Sequence, residues 1–107
     1  YLLDATSIAW FFDHYIDRAQ RGDWRFAPLN ADDFEGVAPA CLVLAECDPL
    51  VDEGIAYGDS LRAAEVGVQL ELVRGVTHDF IKMGRAIAAA RTAQAACAAA
   101  LKRALAP

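Results

Sequence analysis

The chain has 107 residues, of which 56% are hydrophobic, and a formal net charge of −5. This length allows one small domain, and the acidic balance argues against nucleic acid or an anionic membrane surface as a partner. The sequence contains no run of about 18 apolar residues, so no membrane span is predicted.

The cysteines give information on metal binding and on the cellular compartment, and the first residue on whether the chain is complete. Cys41, Cys47 and Cys97 lack the spacing of a metal site, and we predict no metal or cofactor. Cys41 and Cys97 fall on apolar faces and are interpreted as buried free thiols. Reduced thiols, together with the lack of an evident signal sequence, favour the cytoplasm. Because the chain starts at Tyr1 and not at a methionine, we expect either that residues were removed or that the chain is a piece of a longer protein.

The first third of the chain reads as a helix followed by a loop. Residues 6–19 carry apolar side chains at helical spacing, with Thr6 or Ser7 as the cap. This face consists of Ile8, Phe11, Phe12, Tyr15, Ile16 and Ala19. Residues 20–38 contain two glycines, a proline and several turn-forming polar residues, which predict a connecting loop with one short turn of helix.

The remaining residues predict a strand, a helix, a second strand and a last helix. An apolar run from Pro39 to Ala45 indicates a strand buried on both faces, as in a parallel sheet. A helix follows from Asp52, as its N-cap, to Glu65. Residues 68–74 alternate between apolar and polar, which is typical of a strand near the sheet margin. The last helix, residues 85–106, is expected to bury Ile87, Ala90, Cys97, Leu101 and Leu105. The fold class is therefore α/β, in the order α-loop-β-α-β-α, with two parallel strands flanked by helices.

Asp48 and His78 are the candidate site residues, because each follows one of the two strands. Functional groups of parallel sheets collect just beyond the carboxyl ends of the strands. If the strands are neighbours, the two residues emerge at the same end, about 4.8 Å apart. A carboxylate bonded to a histidine fixes the tautomer of the ring and stabilises its protonated form, which is useful when a nucleophile faces the other nitrogen.

The nucleophile is the missing part of this constellation. α/β-Hydrolases place a serine in G-x-S-x-G, before the acid and the histidine, and this chain contains no G-x-S-x-G. Of its two serines, Ser7 stands at a helix start, and Ser60 lies in the middle of a predicted helix. We therefore expect neither to be the nucleophile.

One segment resembles a known family. Residues 44–54, L-A-E-C-D-P-L-V-D-E-G, are followed by Tyr57 and by L-R-A-A at residues 61–64. This pattern resembles the acid segment of hormone-sensitive-lipase-like esterases, in which D-P-L-x-D-E stands about thirty residues before H-G-F. The resemblance implies a carboxylic-ester hydrolase, of which residues 1–107 would be one partial domain, the C-terminal part without the part that carries the nucleophile.

The resemblance also assigns roles to individual residues. It makes Asp48 the triad acid and His78 the general base, and it places Phe80 beside the histidine loop. Asp52 and Glu53 would be structural. The glycine that usually follows the histidine in this family is Asp79 here. A small-molecule ester would be the substrate of the longer protein, while the isolated chain is expected to be inactive.

Two alternatives stay open. Acid–histidine pairs also bind metals, but two ligands without a third make a poor site. The chain could instead be a non-catalytic interaction module derived from a hydrolase. Under all of these interpretations the predicted first strand has one neighbouring strand in this chain. Its other edge, residues 40–45, is expected to pair with a second copy of the chain or with the missing N-terminal part.

Overall fold

The computed structural model describes residues 2–106 and contains two parallel strands and three α-helices. Along the chain these are α1 (Ala5–Tyr15), β1 (Ala40–Cys47), α2 (Val51–Ala63), β2 (Val68–Thr77) and α3 (Ala88–Ala104). Three single turns of 3₁₀-helix lie at Arg18–Gln20, Pro28–Asn30 and Phe80–Lys82. The predicted order of elements and the parallel pairing are confirmed.

Helix α1 begins and ends at different residues from those predicted. Asp4, and not Thr6 or Ser7, is the N-cap, because its Oδ1 accepts the Ser7 amide at 2.8 Å and the Ser7 hydroxyl at 2.9 Å. These hydrogen bonds lower the pKa of the Asp4 carboxyl. The helix stops at Tyr15, since Ile16 is extended and its carbonyl accepts the guanidinium of Arg21. No residue of α1 is buried.

The loop after α1 is held by its own side chains. It contains the turns at Arg18–Gln20 and Pro28–Asn30, one more than the sequence suggested. The ring of Phe26 packs edge-on against Phe12, with 4.9 Å between centroids, and stacks on Tyr15 at 5.9 Å. This aromatic contact folds the loop back onto α1.

Strands β1 and β2 pair in parallel from Ala40 opposite Val68 to Ala45 opposite Val73. An irregularity after Ala45 shifts the register, so that Cys47 lies opposite Thr77. The end of β1 is tied to β2 by the carboxylate of Glu46, which accepts the Gly75 amide at 2.8 Å. Gly75 has φ +70°, a conformation that suits glycine.

Helix α2 lies very close to one face of the sheet. A Cβ at position 54 would meet Leu44 Cδ2 at 2.5 Å, and one at position 58 would meet Leu42 and Leu70 at 3.2 and 3.3 Å. The two glycines therefore permit this close approach, as the sequence pattern suggested. The predicted N-cap was wrong: Leu50 is the N-cap residue, and Asp52 is the second residue of the helix, in its first turn with Glu53.

The core lies between the other face of the sheet and α3. Its buried members come from both strands, from the turn after β2 and from α3; they are Ala45, Val76, Phe80, Ala90 and Ala93. Phe80 is 4% exposed and lies two residues after His78, in the turn that follows β2.

Five residues expected in the core are not fully buried. Leu101 and Leu105 are 61% and 74% exposed, and Cys41 is also exposed, while Ile87 and Cys97 are partly buried. A cavity of about 610 Å³ lies between the carboxyl end of α3 and the start of β1, and it is lined by both thiols and by Leu101. The prediction of buried thiols was therefore wrong.

Leu61 is expected to be the most sensitive packing position of α2, because its side chain is 0% exposed. Leu61→Ala should lower the free energy of unfolding by about 3 kcal/mol, since it removes buried methyl groups and leaves a void. Leu105→Ala, at a 74% exposed position, is the control and should change stability by less than about 0.5 kcal/mol. Urea unfolding followed by circular dichroism at one protein concentration measures both, and equal losses would contradict the burial of Leu61 against the sheet.

Candidate active site

Asp48 is the first residue after β1, and its carboxylate faces two partners. Oδ1 accepts the Leu50 amide at 2.9 Å, while Oδ2 lies 2.6 Å from Nδ1 of His78. The side chain is 11% exposed. Asp48 is followed by a proline, and α2 begins three residues after it. The hydrogen bond from the Leu50 amide holds the carboxylate in its orientation toward β2.

His78 is the first residue after β2 and meets Asp48 across the same end of the sheet. An ionised carboxylate can only accept a hydrogen bond, so Nδ1 carries the hydrogen that it donates to Asp48. The lone pair of the neutral ring is then on Nε2. With the side chain 33% exposed, Nε2 can act as a general base toward a hydroxyl group that approaches it from solvent or from another part of the protein.

Asp79 and Lys82 complete the surroundings of His78. Asp79 has φ 64° and ψ 6°, in the left-handed region, and its Oδ1 lies 3.8 Å from His78 Nε2. Its Oδ2 pairs with Lys82 Nζ at 3.0 Å. Sequence reasoning noted Asp79 as an unusual residue but missed Lys82, which its position three residues later could have revealed.

The two serines of the chain and its other histidine lie in helices and not at the ends of β1 and β2. Ser7 occupies the first turn of α1, where its hydroxyl donates to Asp4. Ser60 lies inside α2 and not on a strand-to-helix turn. His14 is exposed, and its Nδ1 lies 2.8 Å from the Trp10 carbonyl within α1.

Metal-binding clusters and membrane-spanning helices are both absent from residues 2–106. This part of the chain contains no group of three or more His, Cys, Asp or Glu side chains arranged to hold a metal ion. In the same range, every helix is too short or too polar to span a membrane.

Curated relatives of the chain are named as ester hydrolases. An ethyl acetate hydrolase of Pseudomonas putida is 48% identical over 88 residues, which cover 81% of this chain and 28% of that protein. A carboxylesterase of Mycobacterium tuberculosis, NlhH, is 42% identical over 109 residues, covering 97% of this chain and 34% of that protein. The chain thus spans about a third of the length of the relatives it matches.

Solved structures give the same result for the fold. The chain superposes on EstE1, a thermostable carboxylesterase cloned from a metagenomic library, with a TM-score of 0.93 and 32% identity. The match covers 98% of this chain and 36% of EstE1. An esterase from Pyrobaculum calidifontis matches with a TM-score of 0.90 and 31% identity, over 95% of this chain and 33% of that one.

A family model confirms the resemblance seen in the segment around Asp48. The model described as alpha/beta hydrolase fold matches residues 1–82, which include both β1 with Asp48 and β2 with His78. The chain belongs to the alpha/beta hydrolase fold family.

Proposed function

We propose that this chain supplies the acid and the base of a Ser-Asp-His triad in a carboxylic-ester hydrolase. The observation that carries the proposal is the contact of 2.6 Å between Asp48 Oδ2 and His78 Nδ1 at the carboxyl ends of two parallel strands. The names of the relatives, ethyl acetate hydrolase and carboxylesterase, support an ester substrate.

In this mechanism the two nitrogens of His78 have separate tasks. Nδ1–H stays bonded to Asp48, which holds the ring and stabilises its positive charge. Nε2 takes the proton of the serine hydroxyl as the oxygen attacks the ester carbonyl. The same nitrogen then gives that proton to the oxygen of the leaving alcohol, and the two proton transfers repeat with water to release the acid.

The serine and the oxyanion donors would belong to a part of the protein that precedes residue 1. Two observations support this: the chain spans about a third of its relatives, and its own serines lie in the first turn of α1, bonded to the cap Asp4, or inside α2. Residues 1–107 would then be the C-terminal part of one domain.

The cytoplasmic location stays a prediction, which fractionation of the source cells would check.

A serine-directed phosphonate tests the proposal. It should abolish hydrolysis of p-nitrophenyl acetate by the longer protein, and peptide mapping should find the modified serine before residue 1 of this chain. A non-catalytic interaction module would show neither turnover nor modification, so the same experiment separates the two functions.

The open edge of β1 should make the isolated chain associate. Within residues 2–106, β1 pairs with β2 alone, although two strands are rarely a stable sheet without further cover. Aromatic side chains of α1 add exposed apolar surface, with Phe11 55% and Tyr15 78% exposed. We expect sedimentation at micromolar concentration to show a dimer or larger species, formed through residues 40–45. A cooperatively melting monomer would contradict this prediction.

A further inference from the structure

We propose that Asp79 is a specificity-determining residue that favours esters with a positively charged alcohol part, such as quaternary ammonium alcohols. This inference rests on the proposed function, because it concerns the leaving group that His78 would protonate. It is carried by the position of the Asp79 carboxylate beside Nε2, the nitrogen that does not contact Asp48.

The distance between Asp79 and Nε2 limits where the alcohol can be. Asp79 Oδ1 lies 3.8 Å from Nε2. To accept a proton from Nε2, the oxygen of the leaving alcohol must come within about 3 Å of that nitrogen. The two distances together place this oxygen no farther than about 7 Å from the carboxylate of Asp79. That is less than the screening length of about 8 Å at physiological salt, so the alcohol part reacts within the field of a negative charge.

The backbone at Asp79 makes its side chain unusual. With φ 64° and ψ 6°, this position suits glycine, and aspartate is among the few residues with a Cβ that adopt it at a small cost. An aspartate therefore brings a carboxylate beside His78 where a residue without a side chain would fit the turn better. Sparsely populated backbone conformations of this kind are a reason to look for a function.

Lys82 opposes the charge of Asp79 but does not cancel it. Its Nζ bonds the outer oxygen, Oδ2, at 3.0 Å, while Oδ1 is the oxygen that lies nearer Nε2. The lysine side chain is 74% exposed, and exposed pairs of this type contribute little free energy, so a cationic alcohol can displace the ammonium at small cost. When His78 carries the proton, its positive charge offsets the negative charge of Asp48, so the preference depends on Asp79. A cationic alcohol is therefore favoured over a neutral one of the same shape.

The test compares acetylcholine with its uncharged isostere, 3,3-dimethylbutyl acetate, in the longer protein that contains this chain. Two unit charges about 4 to 7 Å apart in water change a rate by roughly three- to fivefold, so kcat/KM should favour acetylcholine by roughly that factor. The preference should fall to near one in Asp79→Asn and in Asp79→Gly. In Lys82→Met it should rise, and added salt should weaken it in the unmodified enzyme.

The matched control is Asp59→Asn in α2. Asp59 and Arg62 form the same kind of exposed pair, three residues apart at 3.1 Å, and this variant should keep the preference. If Asp48→Asn lowers activity strongly but both Asp79 variants keep the preference of the unmodified enzyme, the role of Asp79 is wrong and the proposed function stands. If the longer protein hydrolyses neither ester nor p-nitrophenyl acetate, both proposals are wrong.

Discussion

Asp48→Asn in the longer protein should lower kcat by up to about 10⁴-fold, the loss found for the same change in a serine protease triad. The asparagine oxygen can still accept the Leu50 amide, which Asp48 Oδ1 accepts at 2.9 Å, so the local turn should persist. Its NH₂ group would then face His78 Nδ1 and donate to it. That hydrogen bond moves the ring hydrogen to Nε2 and removes the lone pair that would take the serine proton.

Asp52→Asn is the matched control for Asp48→Asn. Asp52 is an exposed residue in the first turn of α2, where a negative charge stabilises the helix dipole by about 0.3–1 kcal/mol. The variant should lose a little stability and keep kcat within about twofold, as expected for a residue outside the triad. Steady-state rates with p-nitrophenyl acetate measure both variants. Near-normal kcat in Asp48→Asn would remove it from the triad and leave Asp52 or Asp79 as the acid.

The contact between Asp48 and His78 follows from features that a sequence displays well. Each residue stands directly after an apolar run, and parallel strands bring their carboxyl ends to one edge. The crossover of thirty residues between the two positions has room for one helix. The sequence therefore predicted both strands, the helix between them and the proximity of the two side chains, while their catalytic roles stay a proposal.

Errors in the predicted fold arose at the start of α2 and on the apolar face of α3. Asp48 and Asp52 both suit the start of α2, but the Leu50 amide bonds to Asp48 and the helix begins before Asp52. At the other end of the chain, Leu101 and Leu105 have the spacing of a buried face, yet they are exposed. Periodicity reports which side chains share a helix face and does not report whether anything covers that face.

The position of Asp79 near Nε2 could not be predicted from the sequence. It depends on the left-handed backbone at Asp79 and on the ion pair with Lys82. Both are properties of a tight turn, and strand and helix patterns do not report them. The sequence shows that Asp79 replaces the glycine that usually follows the histidine in this family. Its distance of 3.8 Å from Nε2 of His78 could be known only from coordinates.

The isolated chain should hydrolyse p-nitrophenyl acetate no faster than free imidazole at the same concentration. His78 and Asp48 are in contact, but in a triad mechanism they act on the substrate through a separate nucleophile. Loss of the serine of a triad costs on the order of 10⁶-fold in kcat. Oxyanion donors contribute a further large share of the rate, and we propose that both groups lie before residue 1.

The measurement must separate enzymatic turnover from simple imidazole catalysis, because both histidines of the chain can act on an activated ester. The longer protein should saturate with substrate and lose activity on phosphonate treatment, whereas the isolated chain should show a low rate that is linear in substrate and insensitive to phosphonate. A Ser60→Ala variant should leave that low rate unchanged, because Ser60 lies inside α2. Saturable, phosphonate-sensitive turnover by the isolated chain that disappears in Ser60→Ala would instead make Ser60 the nucleophile and would contradict the proposal that the serine lies upstream.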